Sequence, residues 1–276
     1  MFDISILSRL TRLKEYSPVS KIPWILRLLF IIPLILIISP QSLLSYKTII
    51  VFLANVFLMA SGFVINDVED AEDDYYDLKK RKRNPIANGE LTKKQGYLIA
   101  FSLFFIGLSL LLTISYLVFL VGSILSLVGF LYSWRSIRLK SVPIVDLISH
   151  AIALGVLQFS TTYLTFRSFS LQFISFLMII MPFSVAIDIL QELRDFRVDK
   201  KTKIINTIQK FGNFNPTKLF VILAVIVVTG FVILCSTMDR SSIFFSIFLP
   251  LSILSGVMIL LTSTVKIRKF FKLYHS

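Results

Sequence analysis

Apolar residues run along this chain in stretches of roughly 20, the length that carries an α-helix across the hydrocarbon core of a bilayer. They do not keep to the three-or-four-residue rhythm of a helix lying on a soluble core. The stretches fall at 22–39, 46–66, 95–113, 115–134, 143–166, 170–190, 217–238 and 242–263. Backbone polar groups in lipid must be satisfied within the segment, so each stretch reads as a helix. The pattern therefore predicts an all-α, polytopic membrane helical bundle of about eight spans. Pro33, Pro182 and Pro250 fall inside apolar stretches, where neighbouring helices accommodate the kink they impose.

The polar residues between the stretches are distributed unevenly. The N-terminus, the segments after the second, fourth and sixth helices, and the C-terminal tail hold all but four of the 29 lysines and arginines. Of those four, Arg27 lies within the first helix, and only Lys47, Arg167 and Arg240 belong to the opposite side. The positive-inside rule then places every long polar loop and both termini in the cytoplasm, which demands an even helix count in the cell membrane. Residues 1–21 carry Leu7, Leu10 and Leu13 among Arg9, Arg12 and Lys14, the pattern of an interfacial amphipathic helix on an anionic leaflet. Residues 22–263 read as one transmembrane domain of two pseudo-repeated four-helix halves, 22–134 and 143–263, followed by a basic cytoplasmic tail at 264–276.

Composition sharpens this picture. The chain is 276 residues long and 55% hydrophobic, with 26 phenylalanines, more than a soluble core of that size can hide. Its net charge of +13 is spent on topology, so no nucleic-acid partner is expected. Cys235 is the single cysteine and lies in an apolar stretch, which leaves no disulfide or thiolate metal site. No nucleotide loop, Ser/His/Asp triad or zinc motif is present.

The acidic residues are the unusual feature. Directly after the second apolar stretch come Asn66, Asp67, Glu69, Asp70, Glu72, Asp73, Asp74 and Asp77. Asn66, Asp70 and Asp74 recur every four residues and share one face if the helix continues through them. Like charges at that spacing repel, so a cation is expected there, chiefly Mg²⁺ bridged to substrate phosphates. A second stripe, Asp188, Glu192, Asp195 and Asp199, follows the sixth stretch at helical spacing. If the stripes face a central cavity open to the cytoplasm, they hold metal, and the metal holds a diphosphate. Basic residues from Lys79-Lys80-Arg81-Lys82-Arg83 and from Arg194, Arg197, Lys200 and Lys201 then neutralise the remaining charge, although the first run reads equally well as a topology signal alone. Lipid burial supplies room for a greasy tail, which points to a prenyl diphosphate losing its diphosphate. Asp146 and His150 stand four apart in the fifth stretch, either in contact with the acceptor or as a buried polar pair. Asp188 and Glu192 are likewise open between substrate and structural roles.

Four segments resemble the UbiA superfamily of intramembrane prenyltransferases. The run 66–74 is similar to its N-D-x-x-D-x-x-x-D signature, and Asp195-Phe196-Arg197-Val198-Asp199 to its second D-x-x-x-D signature. Arg83-Asn84-Pro85-Ile86 with Gly89 resembles the basic-Pro-Ile-x-x-Gly segment, and Tyr132-Ser133 with Arg138-Leu139-Lys140 the Tyr-Ser…Arg-Leu-Lys loop. The resemblance implies a bundle with a central cavity, usually of nine helices, Mg²⁺ dependence and transfer of an isoprenoid chain. By that carry-over Asn66, Asp70, Asp74, Asp195 and Asp199 hold metal. Arg83, Arg138, Lys140 and Arg194 bind diphosphate, and Tyr132 lies near the reacting centre. The chain departs from the pattern at Arg135 and Ser136, where prolines are common, and past Asp199, where Lys201-Thr202-Lys203 replaces a Gly-x-x-Thr-Leu-Pro segment.

The expected activity is therefore Mg²⁺-dependent prenyl transfer from an isoprenyl diphosphate to a small hydrophobic, aromatic or lipid acceptor among the membrane lipids. The acceptor and the donor's chain length stay open. Two alternatives are a phosphoribosyl diphosphate donor acting on a lipid phosphate, and, in a different class, a divalent-cation transporter. Transport sites typically lie near the bilayer midplane, whereas these acidic stripes lie at helix ends.

Overall fold

A computed structural model describes residues 4–12, 31–202, 207–210 and 216–237, with only the backbone over 190–202. The described chain is α1 (Ile4–Leu10), α2 (Ile31–Ile38), α3 (Tyr46–Glu69), α4 (Ala71–Asp74), α5 (Leu78–Arg83), α6 (Lys93–Leu112) and α7 (Tyr116–Ser133). It continues as α8 (Val145–His150), a π-helical stretch (Ala151–Leu157), α9 (Gln158–Phe166), α10 (Leu171–Thr202), α11 (Thr207–Lys210) and α12 (Pro216–Thr237). No strand occurs among the described residues. Among the described residues, five helical segments are long and apolar enough to cross a membrane: Tyr46–Glu69, Lys93–Leu112, Tyr116–Ser133, Val145–Phe166 and Leu171–Ile189.

These match the predicted stretches closely, and the differences have physical causes. The sixth helix does not stop at 190 but runs on to Thr202, because Leu190 onward contains no proline or glycine to end it. It also passes through Pro182 unbroken. The short α4, α5 and α11 are additional to the predicted spans, since pieces of four to six residues carry no readable hydrophobic period. Residues 22–30 of the expected first span 22–39, the expected span at 242–263 and the tail at 264–276 lie outside the described residues.

The chain divides into two compact units, residues 1–139 with 157–167, and 140–156 with 168–276. The chain passes from one unit to the other inside the apolar span Val145–Phe166. In the first unit α3 packs along α6, and small residues make the approach possible, as expected where lipid offers no hydrophobic incentive for association. A Cβ on Gly96 would stand 2.5 Å from Val68 Cγ2 and one on Gly107 2.8 Å from Leu58. The Ser61 hydroxyl donates to the Ala100 carbonyl at 2.9 Å across the same seam. Thr92 and Gln95 form a reciprocal capping box that starts α6 beside the end of α3. The helix α9 is buried almost throughout, and its Thr161 hydroxyl donates to Asn55 Oδ1 at 3.2 Å.

In the second unit α10 packs on α12, where a Cβ on Gly230 would lie 2.9 Å from the Ser175 carbonyl. Leu147, Ala186, Ile189 and Leu223 form its apolar centre, and Cys235 on α12 is half-buried.

Candidate active site

The end of α3 builds the site. Its last turn carries Asn66 and Asp67, and the backbone amides of Asp70 and Asp74 donate to the carbonyls of Asn66 and Asp70 at 2.9 and 2.8 Å. The i→i−4 ladder thus continues across the break at Asp70, and Asn66, Asp70 and Asp74 rise one above another as their spacing predicts. Beneath them a cluster of Val64, Ile65, Val68 and Ala71 from this segment packs on Ile86, Ala87, Leu91, Ala100 and Leu10. That packing fixes the acidic turn against the 84–91 loop.

Arginines neutralise the turn. Arg12 donates to Asn66 Oδ1 at 2.8 Å and to Asp67 Oδ1. Arg83 bridges Asp67 Oδ1 at 3.2 Å and Asp74 Oδ2 at 3.3 Å. Arg138 reaches Asp70 Oδ1 at 3.1 Å and Asp73 Oδ2 at 2.9 Å. Arg135 pairs with Glu72 and Asp73, and Lys93 with Glu72 at 2.6 Å. Hydrogen bonds from Lys93 and then Arg135 hold the exposed Glu72 carboxyl down at a pKa of about 2. Arg12 and Arg138 adopt left-handed backbone conformations, φ 55° and 45°, which a non-glycine residue enters only under constraint. Both of these residues grip the acidic turn.

Asp67 and Asn84 are the residues that the periodicity did not single out. Asp67 follows Asn66 by one position and so falls off the four-residue stripe, yet it is fully buried and takes two arginines. Its Oδ2 is buried with no hydrogen-bond partner. Asn84 is also fully buried and uses all of its side-chain capacity. Its Nδ2 donates to the Asp67 carbonyl at 2.8 Å and to Asp74 Oδ2 at 3.0 Å, while its Oδ1 accepts from the Ile86 and Ala87 amides. The sequence signal available for it was Asn84-Pro85, a turn-initiating pair.

Of the basic run 79–83, only Arg83 turns in to the acids. Arg81 lies 4.0 Å over the Tyr75 ring and Lys79, Lys80 and Lys82 are exposed. The Asp77 carboxylate caps α5, accepting from the Lys79 and Lys80 amides at 2.8 and 3.1 Å, and those bonds lower its pKa.

Tyr132 is half-buried at the end of α7, one residue before Ser133, whose hydroxyl accepts from Asn66 Nδ2 at 3.2 Å. Lys140 is half-buried in the short 3₁₀ turn Leu139–Ser141. Arg194, Asp195 and Asp199 lie on the helical backbone of α10, and their side chains fall outside the described residues. In the second unit His150 Nδ1 lies 3.3 Å from the buried Asp188 Oδ1, so the fifth-span histidine meets a carboxylate of the sixth.

The donor set suits a hard divalent ion. Asp70 and Asp74 supply carboxylate oxygens, Asn66 an amide oxygen, and Asp67 a buried carboxylate oxygen left over. Among the described residues no three His, Cys, Asp or Glu side chains converge to hold an ion by themselves. Mg²⁺ accepts such a site, because it keeps several waters and binds through one or two carboxylates together with substrate phosphates.

The sequence profile of the UbiA prenyltransferase family matches residues 28–275. The chain is similar to 4-hydroxybenzoate octaprenyltransferase of Providencia stuartii, 34% identical over 116 residues, 42% of this chain and 36% of that protein. It is also similar to digeranylgeranylglyceryl phosphate synthase of Pyrococcus horikoshii, 30% identical over 106 residues, 38% of this chain and 36% of that protein. The matched region thus spans about a third of the length of these curated relatives. Among solved structures, a UbiA homologue from Archaeoglobus fulgidus bound to DMAPP and Mg²⁺ superposes with a TM-score of 0.71 at 22% identity, covering 93% of this chain and 86% of that one. A structure of digeranylgeranylglyceryl phosphate synthase superposes with a TM-score of 0.70 at 20% identity, covering 98% and 93%.

Proposed function

Because the chain belongs to the UbiA prenyltransferase family, we propose that it is an integral-membrane enzyme that moves a prenyl chain from its diphosphate to an aromatic or lipid acceptor. The observation that carries this reading is the oxygen-rich turn Asn66–Asp70–Asp74, at the end of a membrane-length helix and ringed by Arg12, Arg83, Arg135 and Arg138. Asn66, Asp70 and Asp74 would hold Mg²⁺, and the family pattern makes Asp195 and Asp199 of the second motif metal ligands as well. When bound, the metal neutralises the departing diphosphate.

The chain's own residues do the rest. Arg83 and Arg138 would offer guanidinium groups to phosphate oxygens, and Lys140 and Arg194 would each supply a further cation for diphosphate. The allylic C–O bond breaks, both electrons leave with the diphosphate, and the acceptor's nucleophilic atom bonds to the allylic carbon as its proton departs. Tyr132 offers its ring face to the developing cation.

The test is diphosphate release by the purified protein from geranylgeranyl or farnesyl diphosphate, with a panel of aromatic and lipid acceptors. Release is expected only with Mg²⁺, and Asp70→Asn is expected to lower it by about a hundredfold or more, the scale of removing one preorganised electrostatic contact. Uptake of divalent ions that survives Asp70→Asn, with no diphosphate formed, would overturn the reading in favour of a transporter.

A further inference from the structure

The cation that the acidic turn demands is supplied, at its first oxygen, by the chain's own N-terminal segment. Arg12 stands just past α1 and reaches 54 residues ahead to Asn66 Oδ1 at 2.8 Å and to Asp67 Oδ1 beyond it. Its guanidinium also lies 5.1 Å over the Phe63 ring, one turn earlier on α3. Behind it the segment is moored by Leu10, fully buried beside Val64 and Ile65, and by Arg9, which pairs with Glu90 and donates to the Lys82 carbonyl at 3.2 Å. Every one of these contacts lies within the first unit.

We propose that Arg12 is a resident counter-cation that competes with the divalent metal for Asn66 Oδ1, so that metal binding loosens the segment 4–12 and its removal reseats it. The inference rests on the reading of Asn66 as a metal ligand. Four features support competition rather than coexistence. A divalent ion on Asn66 Oδ1 would share that oxygen with a guanidinium, and two like charges at such range repel strongly where water is scarce. Arg12 holds its contact from a left-handed backbone, φ 55°, so letting go relieves strain. Its departure does not strand Asp67, which keeps Arg83 at 3.2 Å. Asn66 itself is turned for the exchange: the bond from its Nδ2 to Ser133 fixes the amide with Oδ1, its one acceptor atom, toward Arg12.

Competition of this kind is a negative coupling and must be reciprocal: the factor by which the docked segment weakens metal binding equals the factor by which metal weakens docking. The protein in detergent, saturated with a non-hydrolysable prenyl diphosphate analogue, would be titrated with Mg²⁺ by calorimetry, and amide exchange over 4–12 followed with and without saturating Mg²⁺. Arg12→Gln should bind Mg²⁺ about fivefold more tightly or better, the lower range of such couplings. Mg²⁺ should speed exchange over 4–12 in the unaltered chain by the same factor. Arg9→Ala, which cuts the mooring to Glu90 without touching Asn66, should also tighten Mg²⁺ binding. Unchanged exchange over 4–12 at saturating Mg²⁺, or equal or weaker Mg²⁺ binding by both variants, would overturn the proposal while leaving the metal reading intact. Absence of any Mg²⁺ binding to the unaltered chain would bring down both.

Discussion

The side chains around the acidic turn divide into those that carry charge and those that fix where the charge sits. Asn84 belongs to the second kind. Asn84→Asp would replace the amide that donates to Asp74 Oδ2 and the Asp67 carbonyl with a second acid oxygen facing both. Each lost buried bond costs about 1 to 3 kcal/mol. The expected outcome is a clearly lower thermal midpoint in detergent and weaker Mg²⁺ binding, whereas a change confined to catalysis would point to a contact with substrate. Glu72 behaves differently because it is exposed. Its carboxyl is held down at about 2 by Lys93 and Arg135, below the ordinary 4.5, so whatever it contributes is fully present above that ordinary value and is lost as pH falls toward 2. The stability difference between the unaltered chain and Glu72→Gln should therefore be constant above pH 5 and shrink on titration from there toward pH 2. High salt should shrink it as well.

At the scale of elements, helix packing depends on where a side chain is absent. Gly96 sits where α6 meets the end of α3, and Gly129 faces open space on α7. Gly96→Ala should destabilise by about 1 to 3 kcal/mol through overpacking against Val68 and Ile86. Gly129→Ala should be neutral or stabilising by up to about 1 kcal/mol, since alanine only restricts the unfolded chain. Thermal unfolding of the two variants side by side tests this. The spans themselves were legible because lipid imposes length and apolarity on a helix, and the observed bounds of α3, α6, α7 and α12 fall within a few residues of the apolar runs. The acidic turn was legible for the same reason, its four-residue spacing surviving the break at Asp70. What the sequence concealed were contacts between distant positions. Leu7 and Leu10 read as a lipid-facing stripe because a leaflet and a protein groove ask for the same pattern, yet Leu10 is buried against α3. Arg12, Asp67 and Asn84 could not be joined from spacing alone, since 54 and 17 residues separate the partners.

For the molecule as a whole, the charge asymmetry of the loops predicts an orientation with the acidic turn and its arginines on the cytoplasmic side. Tyr76 is almost fully exposed just past the turn, and Phe169 is exposed after the fifth span. In a background where Cys235→Ala removes the native thiol, Tyr76→Cys should react with a membrane-impermeant maleimide only in inverted vesicles, and Phe169→Cys only in right-side-out ones. The opposite pattern would invert the topology. The π-helical stretch at Ala151–Leu157 carries a consequence of its own. Each wide turn holds one residue more than an α-turn needs. A lost codon there can be absorbed by tightening the coil, whereas elsewhere in the span it would rotate every downstream side chain by about 100°. This is the place along the fifth span where evolution can change the chain's length without dismantling either flank.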